Sequence, residues 1–265
     1  MAARFQDQVA WVTGASSGIG EALARALARE GASLVLSARR EAELERVRAS
    51  CPDPARVRLV PVDLLDASAR PSASAAAEAA FGRIDVLVLA AGVSQRANAL
   101  EADPTSVRRL FELDFFAPID LARVVVPGMV ARGRGRVVVV SSVVGHVPTP
   151  GRSSYAAAKH ALHGWFDALR AEIHGTGVHV TLLCPGYVRT EISRNALAAD
   201  GSPRGVLDEQ IAGGMDPEVL ARRALAAIAR GQREAWIGGW EIAAIPLRRW
   251  LPGFVAWRLP YNRPH

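Results

Sequence analysis

The sequence predicts an α/β fold, a doubly wound parallel sheet with helices on both faces, built as a single domain over residues 1–265. Three observations carry this. Short apolar runs of strand length alternate with longer amphipathic runs of helix length along most of the chain. The short runs are apolar throughout rather than at every second residue, which is the pattern of strands covered on both faces. A chain of 265 residues, 50% of them hydrophobic, is enough for one large core.

In chain order, Val9–Thr13 reads as the first strand, and 18–30 as a helix closed by Gly31. Ser33–Ser37 is a second strand and Glu41–Ala49 a second helix. Residues 57–61 and 86–90 are further strands. Between them 71–81 is a shortened Ala-rich helix, because Pro71 suits a first helical turn. A long helix is expected over 105–126, a buried strand over 136–141, a helix over 154–174 and a strand over 178–184. Right-handed crossovers between such parallel strands wind the sheet in both directions from its centre. Residues 200–214 are polar and Gly-rich and lie in a candidate substrate loop, 191–215. From Ala235 the character changes: this C-terminal extension, 235–265, holds four of the six tryptophans together with several Pro and Arg residues.

Composition excludes some functions. No apolar run reaches membrane-spanning length and the N-terminus lacks the apolar centre of a signal peptide, so a cytoplasmic location is expected. The net charge of +6 permits anionic partners, but the basic residues are scattered. Nucleic-acid binding is therefore not expected, and a polyphosphorylated cofactor accounts for the charge more economically. Cys51 and Cys184 are two only, and Cys184 ends an apolar run, where a thiol packs as a small hydrophobe.

Directly after the first strand comes Thr13-Gly14-Ala15-Ser16-Ser17-Gly18-Ile19-Gly20, opening a helix. Glycines there allow a tight turn and bring backbone N–H groups up to a pyrophosphate at the positive end of the helix. The spacing is G-x-x-x-G-x-G, not the G-x-G-x-x-G of larger dinucleotide-binding proteins. At the end of the second strand an acid would bind a ribose 2′-OH, whereas Arg accommodates a 2′-phosphate. The residues are Ser37-Ala38-Arg39-Arg40, with no acid before Glu41, which favours NADP(H) over NAD(H). Arg39 is the principal contact expected; Arg40 is a second contact or a solvent-facing helix start.

Lys159 is the only lysine among 32 basic residues, and it lies four residues after Tyr155. On a helix that spacing puts phenol and ammonium on one face. An ammonium there favours the ionised phenol, which proton transfer requires.

Together these residues resemble the short-chain dehydrogenase/reductase family in its compact one-domain branch, over roughly residues 6–192. Four motifs carry the resemblance in order: Gly14–Gly20, Asp63 after the third strand, Ser142 with Tyr155-x-x-x-Lys159, and Pro185-Gly186 followed by Thr190. It implies a Rossmann-like fold and a hydride-transfer enzyme. Tyr155 would be the general acid and base, Lys159 would promote its ionisation and hold the nicotinamide ribose, and Ser142 would hydrogen-bond the substrate oxygen. Ser141 is an alternative hydroxyl, but the family spacing to Tyr155 selects Ser142. By the same likeness Asp63 and Leu64 border the adenine, and Pro185, Gly186, Val188 and Thr190 the nicotinamide. Asp63 could equally cap its strand and Thr190 a following short helix.

Two departures stand out. The family's Asn-rich turn after the fourth strand reads here Leu89-Ala90-Ala91-Gly92, small enough for close cofactor approach but without the amide. The long central helix carries Asp114 where the family usually has Asn, whose backbone carbonyl holds a relay water. Pro118, four residues on, has no N–H to offer that carbonyl, which would leave it free for the water.

His160 and His163 share a helix with Lys159, but no carboxylate or Cys completes a ligand set at suitable spacing, so no metal site is expected. His146 is a pocket residue or simple loop packing. Val144, Val147, Tyr187 and Leu197 are candidate apolar pocket residues, with Tyr187 alternatively a core residue. The segment 236–257 packs against the domain or a second subunit, with a homo-oligomer expected; Pro246 and Pro252 interrupt any long amphipathic helix and count against peripheral membrane contact. The expected activity is NADP(H)-dependent interconversion of a largely apolar small-molecule carbonyl and its secondary alcohol. Alternatives are a carrier-linked 3-ketoacyl reductase and a dinucleotide-binding regulatory protein without turnover.

Overall fold

The computed structural model describes residues 4–258. Its strands are β1 Val9–Thr13, β2 Ser33–Ser37, β3 Val57–Leu59, β4 Val86–Leu89, β5 Gly135–Val140, β6 Val178–Pro185 and β7 Glu234–Ile237. They form one seven-stranded sheet in the order β3-β2-β1-β4-β5-β6-β7, with every pair parallel. The helices are α1 Gly18–Arg29, α2 Glu41–Ala49, α3 Ala69–Ala79, α4 Pro104–Phe111, α5 Ala117–Ala131, α6 Ser153–Glu172, α7 Glu209–Ala212, α8 Pro217–Ala229, α9 Ala244–Trp250 and α10 Pro252–Arg258.

Successive strand side chains point to opposite faces, and here both faces are apolar. Ala10 and Val12 pack with Leu23 and Leu27 of α1, Leu44 of α2 and Leu225 of α8. Val9 and Trp11 enter the opposite layer, with Leu121 of α5 and Leu162 and Phe166 of α6. Trp11 also needs a partner for its indole N–H, and Ser37 Oγ accepts it at 2.9 Å. Val12 stands beside Leu36 on one side and Val88 on the other. Strand order reverses between β1 and β4, and a ligand crevice opens at the carboxyl ends of strands at such a point.

The expected elements form with shifted ends. The third and fourth strands stop at Leu59 and Leu89, short of 61 and 90, and the Ala-rich helix begins at Ala69, so Pro71 lies inside its first turn. The helix expected over 105–126 extends from Pro104 to Ala131 and contains one wider π turn, Glu112–Phe116. Pro118 cannot donate to the Asp114 carbonyl, and the Ala117 N–H reaches back to Glu112 instead. Five named elements were not expected: α7, α8, β7, α9 and α10. Asp216 caps α8 by accepting from the Glu218 N–H at 2.8 Å, and Pro217 sits at its first position. β7 is only four residues long. It places Glu234 beside Leu182 and Trp236 beside Cys184, so residues 234–237 belong to the sheet and not to a C-terminal extension.

Candidate active site

The turn after β1 owes its shape to steric crowding. Gly14 has φ +66°, and a Cβ there would lie 2.7 Å from the Ala91 nitrogen. A Cβ on Gly20 would meet the Gly14 carbonyl at 2.3 Å. The Thr13 hydroxyl donates to the Val88 carbonyl and accepts from the Ala90 N–H, each at 3.2 Å. That hydroxyl ties the ends of β1 and β4 together.

A cleft of about 990 Å³ opens above these strand ends. Gly14, Ser16, Ser17, Gly18, Ile19 and Gly20 form one end, with Arg39, Arg40, Asp63 and Leu64 beside them. Ala90, Ala91, Gly92 and Asp114 form its floor with Ser142, Tyr155 and Lys159, and Pro185, Gly186, Val188 and Thr190 another wall. Every residue expected at the site thus reaches one cavity. Arg39 and Arg40 are exposed along it. The Asp63 carboxylate also accepts from the Leu65 N–H at 3.1 Å, so it caps its own turn while facing the cleft. Thr190 is followed by turns, not a helix, and a Cβ on Gly18 would touch its methyl at 3.2 Å. The Gly-rich cradle, the exposed arginines and the cleft's length fit a dinucleotide.

At the chemical end, α6 sets Tyr155 and Lys159 one turn apart, with Nζ 5.5 Å from the phenol ring centroid. Nζ donates to the Val140 carbonyl at 3.1 Å and lies 3.2 Å from Asp114 Oδ2. The side chain of Asp114, rather than its carbonyl alone, therefore meets the amine. Its Oδ1 accepts from the Val93 N–H at 2.7 Å. Gly92 leaves room for this carboxylate, since a Cβ there would sit 3.0 Å from Oδ2. Burial works against the Lys159 ammonium, but Asp114 and Tyr155 outweigh it and hold it above the usual lysine range. Burial pushes the Asp114 carboxyl up, against the pull of Lys159 and the Val93 N–H. Ser142 is half-buried at the end of β5, its Oγ accepting from the Val144 N–H at 3.2 Å, and it faces the cleft. Ser141 also borders the cleft, but its hydroxyl is engaged by His163 at 2.9 Å.

Several residues at the cleft were not found from the sequence. Glu241 is buried and accepts from the Tyr187 and Gly239 N–H groups, each at 2.9 Å, bracing the Pro185-Gly186 turn. Arg152, at the start of α6, borders the cleft with its guanidinium mostly buried and Asp208 3.7 Å away. Asp208 is bound more closely by Arg96, at 2.6 Å, and by Arg204. These ion pairs, with the Leu197 N–H to Ser94 carbonyl bond at 2.9 Å, organise the segment 191–215. Nothing in local spacing signals them.

Val144, Val147, Tyr187 and Leu197 line the cleft as expected. The C-terminal helices complete it with Leu247, Phe254 and Val255, and Ile245 and Val255 pack on Val143 and Val147. Trp240 and Trp250 remain exposed. His146 does not border the cleft; it packs against His163, with ring centroids 4.3 Å apart, and bonds Glu234. Among the described residues no helix is long and apolar enough to cross a membrane.

The short chain dehydrogenase family profile matches residues 8–201. Dehydrogenase/reductase SDR family member 7B of Danio rerio is 39% identical over 89% of this chain and 78% of its own length. Human dehydrogenase/reductase SDR family member 7 is 36% identical over 95% of this chain and 76% of its own. A short-chain dehydrogenase structure from Streptomyces avermitilis superposes with TM-score 0.83 at 30% identity, covering 97% of this chain and 96% of that one. A short chain dehydrogenase/reductase from Burkholderia phymatum, solved in complex with NAD, superposes with TM-score 0.84 at 25% identity, covering 95% and 96%. The chain belongs to the short-chain dehydrogenase/reductase family and is an NAD(P)-dependent oxidoreductase.

Proposed function

We propose that the protein interconverts a carbonyl compound and its secondary alcohol with NADP(H), using Tyr155 as general acid and base. The observation that carries this reading is the placement of Tyr155, Lys159 and Ser142 on the same cleft as the Gly-rich turn. When bound, a nicotinamide dinucleotide supplies or accepts the hydride. The chain moves the proton. In reduction the Tyr155 hydroxyl gives its proton to the carbonyl oxygen as the C–H bond forms, and in oxidation it takes that proton back. The buried ammonium of Lys159, 5.5 Å from the Tyr155 ring centroid, is the nearby positive charge that faces the proton donor. The Ser142 hydroxyl donates to the substrate oxygen and aligns it with Tyr155.

Arg39 and Arg40, exposed at the adenosine end, support a 2′-phosphate and hence NADP(H). The walls formed by Val144, Val147, Leu197, Leu247 and Phe254 support a largely apolar substrate. A second reading, a ketoacyl group linked to an anionic carrier, is favoured by the exposed Arg109 and Arg258 on the cleft's rim. A homo-oligomer formed through the exposed tryptophans of the C-terminal segment completes the proposal.

A panel of carbonyls and alcohols assayed with both dinucleotides, for wild type and Tyr155→Phe, tests the reading. Turnover with NADPH that falls at least about a thousandfold in the variant is expected. Near-wild-type turnover in Tyr155→Phe would sink the mechanism, and binding of the dinucleotide with no turnover on any substrate would favour a regulatory protein. Turnover confined to thioester-linked ketones selects the carrier-linked reading.

A further inference from the structure

Behind the Ser142 loop, and bordering none of the main cleft, four side chains from four separate segments converge. They are His146 from the loop after β5, His163 from α6, Cys184 from β6 and Glu234 from β7. One ligand atom from each lies within 4.8 Å of all the others. Cys184 Sγ is 3.1 Å from Glu234 Oε1 and 3.8 Å from His146 Nε2. His146 Nε2 and Glu234 Oε1 are in direct contact, and His163 Nδ1 is 3.9 Å from the same oxygen.

The geometry points to a structural binding site for one zinc ion or a similar borderline transition-metal ion, held by His146, His163, Cys184 and Glu234. Zinc bound tetrahedrally by nitrogen, oxygen and sulfur at its usual bond lengths sets its ligand atoms about 3.3–3.6 Å apart. The measured separations bracket that edge length. The chemistry agrees: two imidazoles and a thiolate select such a metal over magnesium or calcium, which take oxygen ligands. Four protein ligands leave no open position, as in structural rather than catalytic sites. A hydroxyl stands ready to orient one ligand, because Ser141 Oγ lies 2.9 Å from His163 Nε2, and Nδ1 is then the nitrogen facing Glu234. Glu234 also borders a separate surface cleft of about 500 Å³, which gives an ion a route that does not pass the substrate. On binding, the Cys184 S–H bond breaks, an S–metal bond forms and the proton goes to solvent, as does any proton on His146.

Position suggests the purpose. Cys184 immediately precedes Pro185-Gly186, His146 follows Ser142 by four residues, and His163 lies one helical turn beyond Lys159. One ion would fasten the two loops of the chemical end to the helix that carries Tyr155 and Lys159.

The test uses the full-length protein without a histidine tag, stripped with chelator and titrated with zinc chloride against a chromophoric chelator, then loaded with cobalt(II) for absorption spectroscopy. One equivalent per chain is expected, with a thiolate-to-cobalt charge-transfer band. Cys184→Ala should abolish that band. His146→Gln, a half-buried position that is safer for folding, should weaken zinc at least about tenfold. Less than one equivalent in the wild type, or equal zinc affinity in wild type and His146→Gln, overturns the assignment.

Discussion

Asp114 Oδ2 lies 3.2 Å from Lys159 Nζ, and the two residues are 0% and 4% exposed. The only lysine of the chain is therefore kept charged by a carboxylate on a neighbouring helix, at the π turn that Pro118 imposes. Removing one partner of such a pair leaves the other buried and uncompensated. Asp114→Leu should cost about 3–5 kcal/mol of stability by urea denaturation. Asp114→Asn keeps an acceptor for the Val93 N–H and should cost about 1 kcal/mol. With the carboxylate gone, the ammonium loses the larger of the two charges that offset its burial, so the Lys159 pKa should fall and the pH profile of alcohol oxidation should shift in Asp114→Asn. An unchanged profile would show that the pair acts on stability alone.

Cofactor choice should rest on Arg39, which is exposed on the cleft. Arg39→Ala should lower kcat/KM for NADPH by about ten- to a hundredfold, the range of one charge-assisted contact, and leave NADH little changed. Arg40→Ala should have the smaller effect. Steady-state kinetics with both dinucleotides decide this.

Gly186 and Glu241 should be thermodynamically coupled. A Cβ on Gly186 would fall 1.8 Å from Glu241 Oε1, the oxygen that accepts from Tyr187 and Gly239. Gly186→Ala displaces that carboxylate and should cost about 1–3 kcal/mol, as should Glu241→Ala, because each removes the acceptor of the Tyr187 and Gly239 N–H groups. The double variant should lose much less than the sum of the two. Additive losses in a denaturation cycle would contradict the contact.

Acid should destabilise the protein through Asp208 and Glu21. Burial pushes the Asp208 carboxyl up, but bonds from Arg96 and Arg204 more than offset it and hold it below its usual range. Glu21 is likewise lowered by Arg46 and Arg25 against burial. A lowered carboxyl contributes stability that is fully present above the ordinary carboxylate range, about pH 4, and is lost as pH falls through the lowered values. Denaturation midpoints measured from pH 7 down to 3 should fall below about pH 4, and Asp208→Asn should flatten that fall.

The parts of the site that were legible are those whose chemistry is local. Gly14 and Gly20 must sit at the strand-to-helix turn because the crowding that demands them lies within a few residues or at the end of the neighbouring strand. Tyr155 and Lys159 meet because one helical turn separates them. Strand β7 was not legible: four residues carry too short a pattern, and Trp236 at its centre faces outward and is 43% exposed. The cluster proposed above to hold a metal ion was hidden for the same reason. His163 has no ligand partner at suitable spacing on its own helix; the pairing of β6 with β7 brings Cys184 and Glu234 beside it.

Alone, the sequence determined the doubly wound class, the Gly-rich turn and the meeting of Tyr155 with Lys159, since hydrophobic period, turn sterics and helical spacing depend mainly on near neighbours. Tertiary structure decided the rest. His146 and Glu234 are 88 residues apart in the chain, and Tyr187 and Glu241 54. Such pairs meet only through strand register and helix packing, which are properties of the whole core and are written in no single stretch of it.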